Sequence, residues 1–106
     1  MNVHQRIEQA IEDLEELIDL TGTLALKAAK AESDFKVKAA SLRIGLRDSG
    51  KFTVQALDDE VQIACEDEHL EMLLAQAKHQ SARDAMRGLQ AQLDGLRTLA
   101  AGSRGV

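Results

Sequence analysis

Arg47-Asp48-Ser49-Gly50-Lys51-Phe52-Thr53 is the clearest boundary in this chain, with helix-forming sequence on either side of it. Gly50 suits the left-handed residue that closes a helix, and Arg47 stands where a cation meets the negative end of the helix dipole. Thr53 offers a hydroxyl to cap a following helix, with Asp58, Asp59 and Glu60 placed just after its first turn. The pattern predicts a helix over about residues 2–48, a turn at 49–53, a helix over about 54–101, and a flexible tail at 102–106.

Charge alternates in blocks around this boundary. Residues 1–23 hold one Arg and six acids, and residues 24–51 hold seven basic groups and three acids. Residues 52–73 hold seven acids and no Lys or Arg, and residues 74–106 hold five basic groups and two acids. If the chain doubles back near Gly50, the first block faces the fourth and the second faces the third, each pair opposite in sign. Exposed ion pairs contribute only about 0–1 kcal/mol each, but such a pattern selects antiparallel over parallel pairing. The fold class expected is all-α: a long, coiled-coil-like antiparallel helical hairpin that oligomerises.

Apolar spacing agrees. In the first segment a stripe runs from Val3 through Ile7, Ile11, Leu14, Ile18 and Thr21 to Ala25, Ala28, Ala31, Phe35, Ala39, Leu42 and Leu46, always in steps of three or four. Thr21-Gly22-Thr23 predicts a local weakening or bend without a break, since no proline is present. In the second segment the stripe passes Val54, Leu57, Val61, Ala64 or Cys65, Met72 and Ala75, then Ala82, Met86, Leu89, Leu93, Leu96 and Ala100. A further apolar set, Ile63, Leu70, Leu73, Leu74 and Ala77, lies off that stripe. One partner helix cannot cover both sets, so this one is expected to form an oligomer interface; a bent first helix covering both is the alternative.

At 106 residues one domain is the natural count, and a hairpin of this size has no enclosed centre, so self-association is expected. The lone Cys65 excludes an intramolecular disulfide and suits a reducing compartment. The first residues turn acidic at Glu8 without an apolar signal core, and no apolar run approaches the roughly 20 residues of a bilayer span, so a cytoplasmic protein without membrane contact is expected.

Catalysis finds little support. The chain has no Gly-rich phosphate loop and no His-Glu-x-x-His run. Cys65 reads as a small core residue. Glu66 and His69 form a Glu-x-x-His pair at one-turn spacing, but a di-iron bundle needs two such pairs and two more inward carboxylates. His4 and His79 read as surface or interface residues. No enzyme activity, cofactor or metal site is expected.

The basic stretch is the strongest functional candidate. Lys36, Arg43 and Arg47 are spaced by seven and four and project from one side of a helix, with Lys38 off that line and Lys51 at the turn. An elongated cation row can track a phosphate backbone; the competing role is neutralising the acidic block 52–73.

The segment Phe35-Lys-Val-Lys-Ala-Ala-Ser-Leu-Arg-Ile-Gly-Leu-Arg-Asp-Ser-Gly-Lys51 resembles the basic helix and Ser-Gly-basic turn of the UvsY family, the phage recombination mediators. The stretches beginning at Asp58 and at Ala85 are similar to its later helix, so the likeness covers roughly residues 25–100. It implies a homo-oligomeric ring, a hexamer or heptamer, that binds single-stranded DNA and works with a recombinase and a single-strand-binding protein. The DNA-binding residues it implies are Lys36, Lys38, Arg43, Arg47 and Lys51. The other reading is a helical scaffold, adaptor or assembly chaperone without nucleic acid. A secretion hairpin of the WXG type matches in length but needs a Trp at the turn, where this chain has Ser49-Gly50-Lys51.

Overall fold

The computed structural model describes residues 1–104, and its regular elements are three helices: α1 (Val3–Asp48), α2 (Val54–Ala64) and α3 (Glu66–Arg104). No strand occurs among the described residues. α1 starts on a reciprocal cap. Asn2 Oδ1 accepts from the Gln5 backbone N–H at 2.8 Å, and Gln5 Oε1 accepts from the Asn2 N–H at 2.9 Å, so two of the otherwise orphaned donors are satisfied.

The boundary at 48–53 forms as its residues dictate. Gly50 has φ of 70°, and its N–H donates to the Arg47 carbonyl at 3.1 Å. Thr53 is extended, and its hydroxyl accepts from the Ala56 N–H at 3.2 Å. Nothing crowds the Cβ position of Gly50, so a side chain there meets only backbone strain. Gly50→Ala should therefore cost about 1–2 kcal/mol, the penalty for an L-residue in the left-handed region; urea denaturation checks this.

Two details differ from expectation. The second helix is divided: Cys65 caps α2 with φ of −105° and ψ of 14°, and its carbonyl accepts from the His69 N–H at 2.9 Å to open α3. The physical signal is Glu66-Asp67-Glu68, three acids in the first turn of α3 that complement the positive end of a new helix dipole. α3 also runs on to Arg104, so residues 102–104, expected in the tail, are helical; Gly105 and Val106 lie outside the described residues. α1 continues through Thr21-Gly22-Thr23 without interruption. Thr21 and Thr23 return their hydroxyls to the carbonyls of Leu17 and Asp19, at 2.7 and 3.2 Å, which satisfies them within the helix.

Packing divides the chain into two compact units, Met1–Leu24 with the segment from Lys78 onward, and Ala25–Ala77. In the first, Ala10, Leu93 and Leu96 are buried together, with Ile7, Leu14 and Leu89 packed against them. Ile11 and Ile18, expected inside, are exposed; Ala10 and Leu17 take the inner places. The inner series Val3, Ile7, Ala10, Leu14, Leu17 and Thr21 alternates four and three residues, a strict heptad seam. Side-chain size favoured the isoleucines, and angular position decided for their neighbours.

In the second unit Ala28, Leu57, Val61 and Cys65 are buried, and Cys65 is fully so. Phe35, Leu42 and Leu46 of α1 and Met72 and Ala75 of α3 are partly buried. Val54, expected on the stripe, is exposed, because it opens α2 beside the turn where α1 has already ended.

Candidate assembly and nucleic-acid surfaces

The five cations expected to bind nucleic acid have three different fates. Lys38 stands on the seam of α1, four residues short of Leu42, and its ammonium meets Glu68 Oε1 at 2.5 Å. Arg43 meets Asp58 Oδ1 at 2.5 Å. Both acids belong to the block 52–73, so these two cations serve the neutralising role. Among the described residues Lys36 pairs only within its own helix, with Glu32 at 2.8 Å, and its side chain remains 69% exposed. Arg47 and Lys51 are exposed and, among the described residues, make no ion pair.

Lys38 and Glu68 form a charged pair within the seam of the Ala25–Ala77 unit. The hydrogen bond between them holds the Glu68 carboxyl below its ordinary value of 4.5 and raises the Lys38 ammonium above its ordinary 10.5. The second Glu68 oxygen, Oε2, is buried and accepts no hydrogen bond. Glu68 lies three residues beyond Cys65 and four before Met72, so the α3 seam passes through it. A reading by hydrophobicity skips this position; the four-three spacing finds it.

Next to this pair, the Phe35 and His69 rings stack with centroids 5.0 Å apart and an interplanar angle of 27°. Phe35, Gln62, Ile63, Glu66 and His69 line an open groove of about 470 Å³. His69 is thus engaged with an aromatic ring on α1. Among the described residues, no group of three His, Cys, Asp or Glu side chains is placed to hold a metal ion.

The second apolar set remains uncovered in the unit that contains it. Ile63, Leu70, Leu73 and Leu74 are between 47% and 68% exposed, and Ala77 is exposed as well. α1 leaves them uncovered. Sequence reading missed a counterpart on α1: Leu26, Val37 and Ile44, between 52% and 75% exposed. Its signal was a second heptad series, Leu26, Ser33, Val37, Ala40 and Ile44, running out of phase with the seam.

Among the described residues no helix is long and apolar enough to cross a membrane. Compared with known proteins, the chain matches no family model, no curated protein and no solved structure.

Proposed function

We propose that this chain is an antiparallel helical hairpin that acts by assembling with copies of itself, a non-enzymatic interaction module of the cytoplasm. The observation that carries the reading is the exposed apolar surface on both α1 and α2–α3 within Ala25–Ala77. Contiguous apolar strips of this kind mark interaction sites, and a small helical unit gains from association what its own core cannot supply. Antiparallel pairing is supported by the order of the ion pairs: the earlier cation, Lys38, meets the later acid, Glu68, and the later cation, Arg43, meets the earlier acid, Asp58. Light scattering over a concentration series tests the reading. The expected mass is a multiple of the 11.6 kDa chain; a single-chain mass up to high micromolar concentration would refute it.

The state of Lys36, Arg47 and Lys51 favours a second reading, in which the assembly is a phage-type recombination mediator resembling the UvsY family. Lys36 on α1, Arg47 in its last turn and Lys51 at the turn pair, among the described residues, with no acid of the block 52–73. A ring of copies would multiply a weak cationic strip into a multivalent one, bind single-stranded DNA regardless of sequence, and act beside a recombinase and a single-strand-binding protein. Fluorescence polarisation with a labelled oligonucleotide should then show affinity falling steeply with salt. Changing Lys36, Arg47 and Lys51 to Gln should flatten the logarithmic salt slope by about 2, at roughly 0.7 for each phosphate that is no longer neutralised. Absence of binding at low salt and micromolar protein retires the DNA reading and leaves the interaction module.

A further inference from the structure

We infer that the two outer strips of the Ala25–Ala77 unit are the two halves of one heterologous contact, the α1 strip of one copy seating on the α2–α3 strip of the next. This rests on the self-assembly reading above and names the surfaces that meet. On α3, Leu70, Leu73, Leu74 and Ala77 recur at i, i+3, i+4 and i+7, half a turn away from the seam residues Glu68, Met72 and Ala75. On α1, Leu26, Val37 and Ile44 likewise lie on the side away from Ala28, Phe35 and Leu42. Leu26, Val37 and Ile44, and Leu70, Leu74 and Ala77, are therefore on the backs of their helices, where one copy cannot cover them; Ile63 and Glu66 stand at the edge of the second strip, in the groove shared with Phe35. Residues 26–44 of α1 span about 27 Å, and residues 66–77 of α3 about 17 Å at 1.5 Å per residue, with Ile63 of α2 beyond them.

Charge decides which strip meets which. Lys30 lies within the α1 strip, and Lys27 and Asp34 lie on one border of it, so the strip and that border carry two cations and one acid. Glu66 lies within the α3 strip, with Asp67 and Glu71 on its border, in a stretch with seven acids and no Lys or Arg. Setting α1 against α1, or α3 against α3, opposes like charges across a desolvated contact and is penalised. Setting α1 against α2–α3 brings opposite charges together at the same apolar contact. Lys36, Arg43 and Arg47 fall on the other flank of α1, away from Lys27, so the cation row stays at the margin of the contact. Because the two surfaces differ, every added copy leaves one of each free, and the assembly grows until a ring closes or a filament forms. A twofold dimer is not its end point.

Two variants test this by light scattering, with far-UV circular dichroism to confirm helix content. One carries Val37→Asp and Ile44→Asp on the α1 strip, and the other carries Leu70→Asp and Leu74→Asp on the α3 strip. Wild type is expected to form assemblies of more than two chains, and each variant alone to run at single-chain mass. Mixed in equal amounts, the two retain one intact strip apiece and should form a complex of twice the chain mass that grows no further. If either variant alone still self-associates, or the mixture stays at single-chain mass while wild type assembles, the pairing of strips is wrong and self-assembly stands. A wild type at single-chain mass throughout overturns both. Should aspartate cost helix content, the same four positions changed to Ser must give the same pattern.

Discussion

Leu93→Ala should lower the stability of the folded chain by about 2–4 kcal/mol, the usual range for truncating a buried leucine and leaving a cavity. Leu93 is one of three residues, with Ala10 and Leu96, at the centre of the cluster in the first unit. Among the described residues, the partly buried hydrophobics packed against that centre are Ile7, Leu14 and Leu89, so few apolar neighbours can move in to refill the space. For a chain of 106 residues such a loss is a large share of total stability and should lower Tm by roughly 10–25 °C. Leu99→Ala is the control, since Leu99 is exposed and its removal leaves no cavity. Thermal and urea denaturation of both variants at one fixed protein concentration makes the comparison, because assembly itself adds to apparent stability. Equal loss from the two leucines would mean that this cluster is not where the unit is held together.

Reversal of Glu68 to Lys should destabilise the Ala25–Ala77 unit, because it sets an ammonium against Lys38 on a partly buried seam. Glu68→Gln should cost less, and the swapped pair, Lys38→Glu with Glu68→Lys, should recover part of the loss. Replacing both by Leu should give a protein at least as stable as wild type. Two partly exposed charges, one with a buried oxygen that accepts no hydrogen bond, are a weaker seam contact than two packed leucines. The expected order of melting temperatures is thus double Leu at or above wild type, then the swap, then Glu68→Gln, then Glu68→Lys. A double Leu variant that melts well below wild type would show that the ion pair stabilises the unit outright.

The same pair sets a pH dependence whose sign follows from the two shifts. Glu68 is held below 4.5 in the folded chain, so its contribution is complete above pH 4.5 and disappears as pH falls through the lower folded value. Lys38 is raised above 10.5, so its contribution is complete below pH 10.5 and is lost as pH rises through the higher folded value. Difference curves of wild type against the double Leu variant should therefore be flat between these limits and fall at both ends.

Much of the helical layout was legible in local chemistry. Gly50 adopts the left-handed conformation that its place after Asp48-Ser49 required, and Thr53 caps α2 through its hydroxyl. The seam at Leu57, Val61, Ala82, Leu93 and Leu96 was readable from spacing, and these residues are buried. Ile11 and Ile18 lie outside despite their hydrophobicity, because a seam that repeats every 3.5 residues selects angular positions, and Ala10 and Leu17 hold them. The break at Cys65 was hidden because neither glycine nor proline marks it, only the acids that follow. At the candidate site, residue type showed that the stretch was basic but could not say which cations were spent. Whether a Lys is free depends on its angle about the helix axis and on what stands across the seam, as Lys36 and Lys38 illustrate two residues apart.

The sequence by itself determined that the chain is helical and where its main turn lies, because propensity, caps and a left-handed glycine act within a few residues of one another. Tertiary structure alone decided which charges neutralise each other and which leucines stay uncovered, since both depend on what a neighbouring helix brings to each face. Lys38 became part of a seam and Leu26, Val37 and Ile44 an outer strip for that one reason.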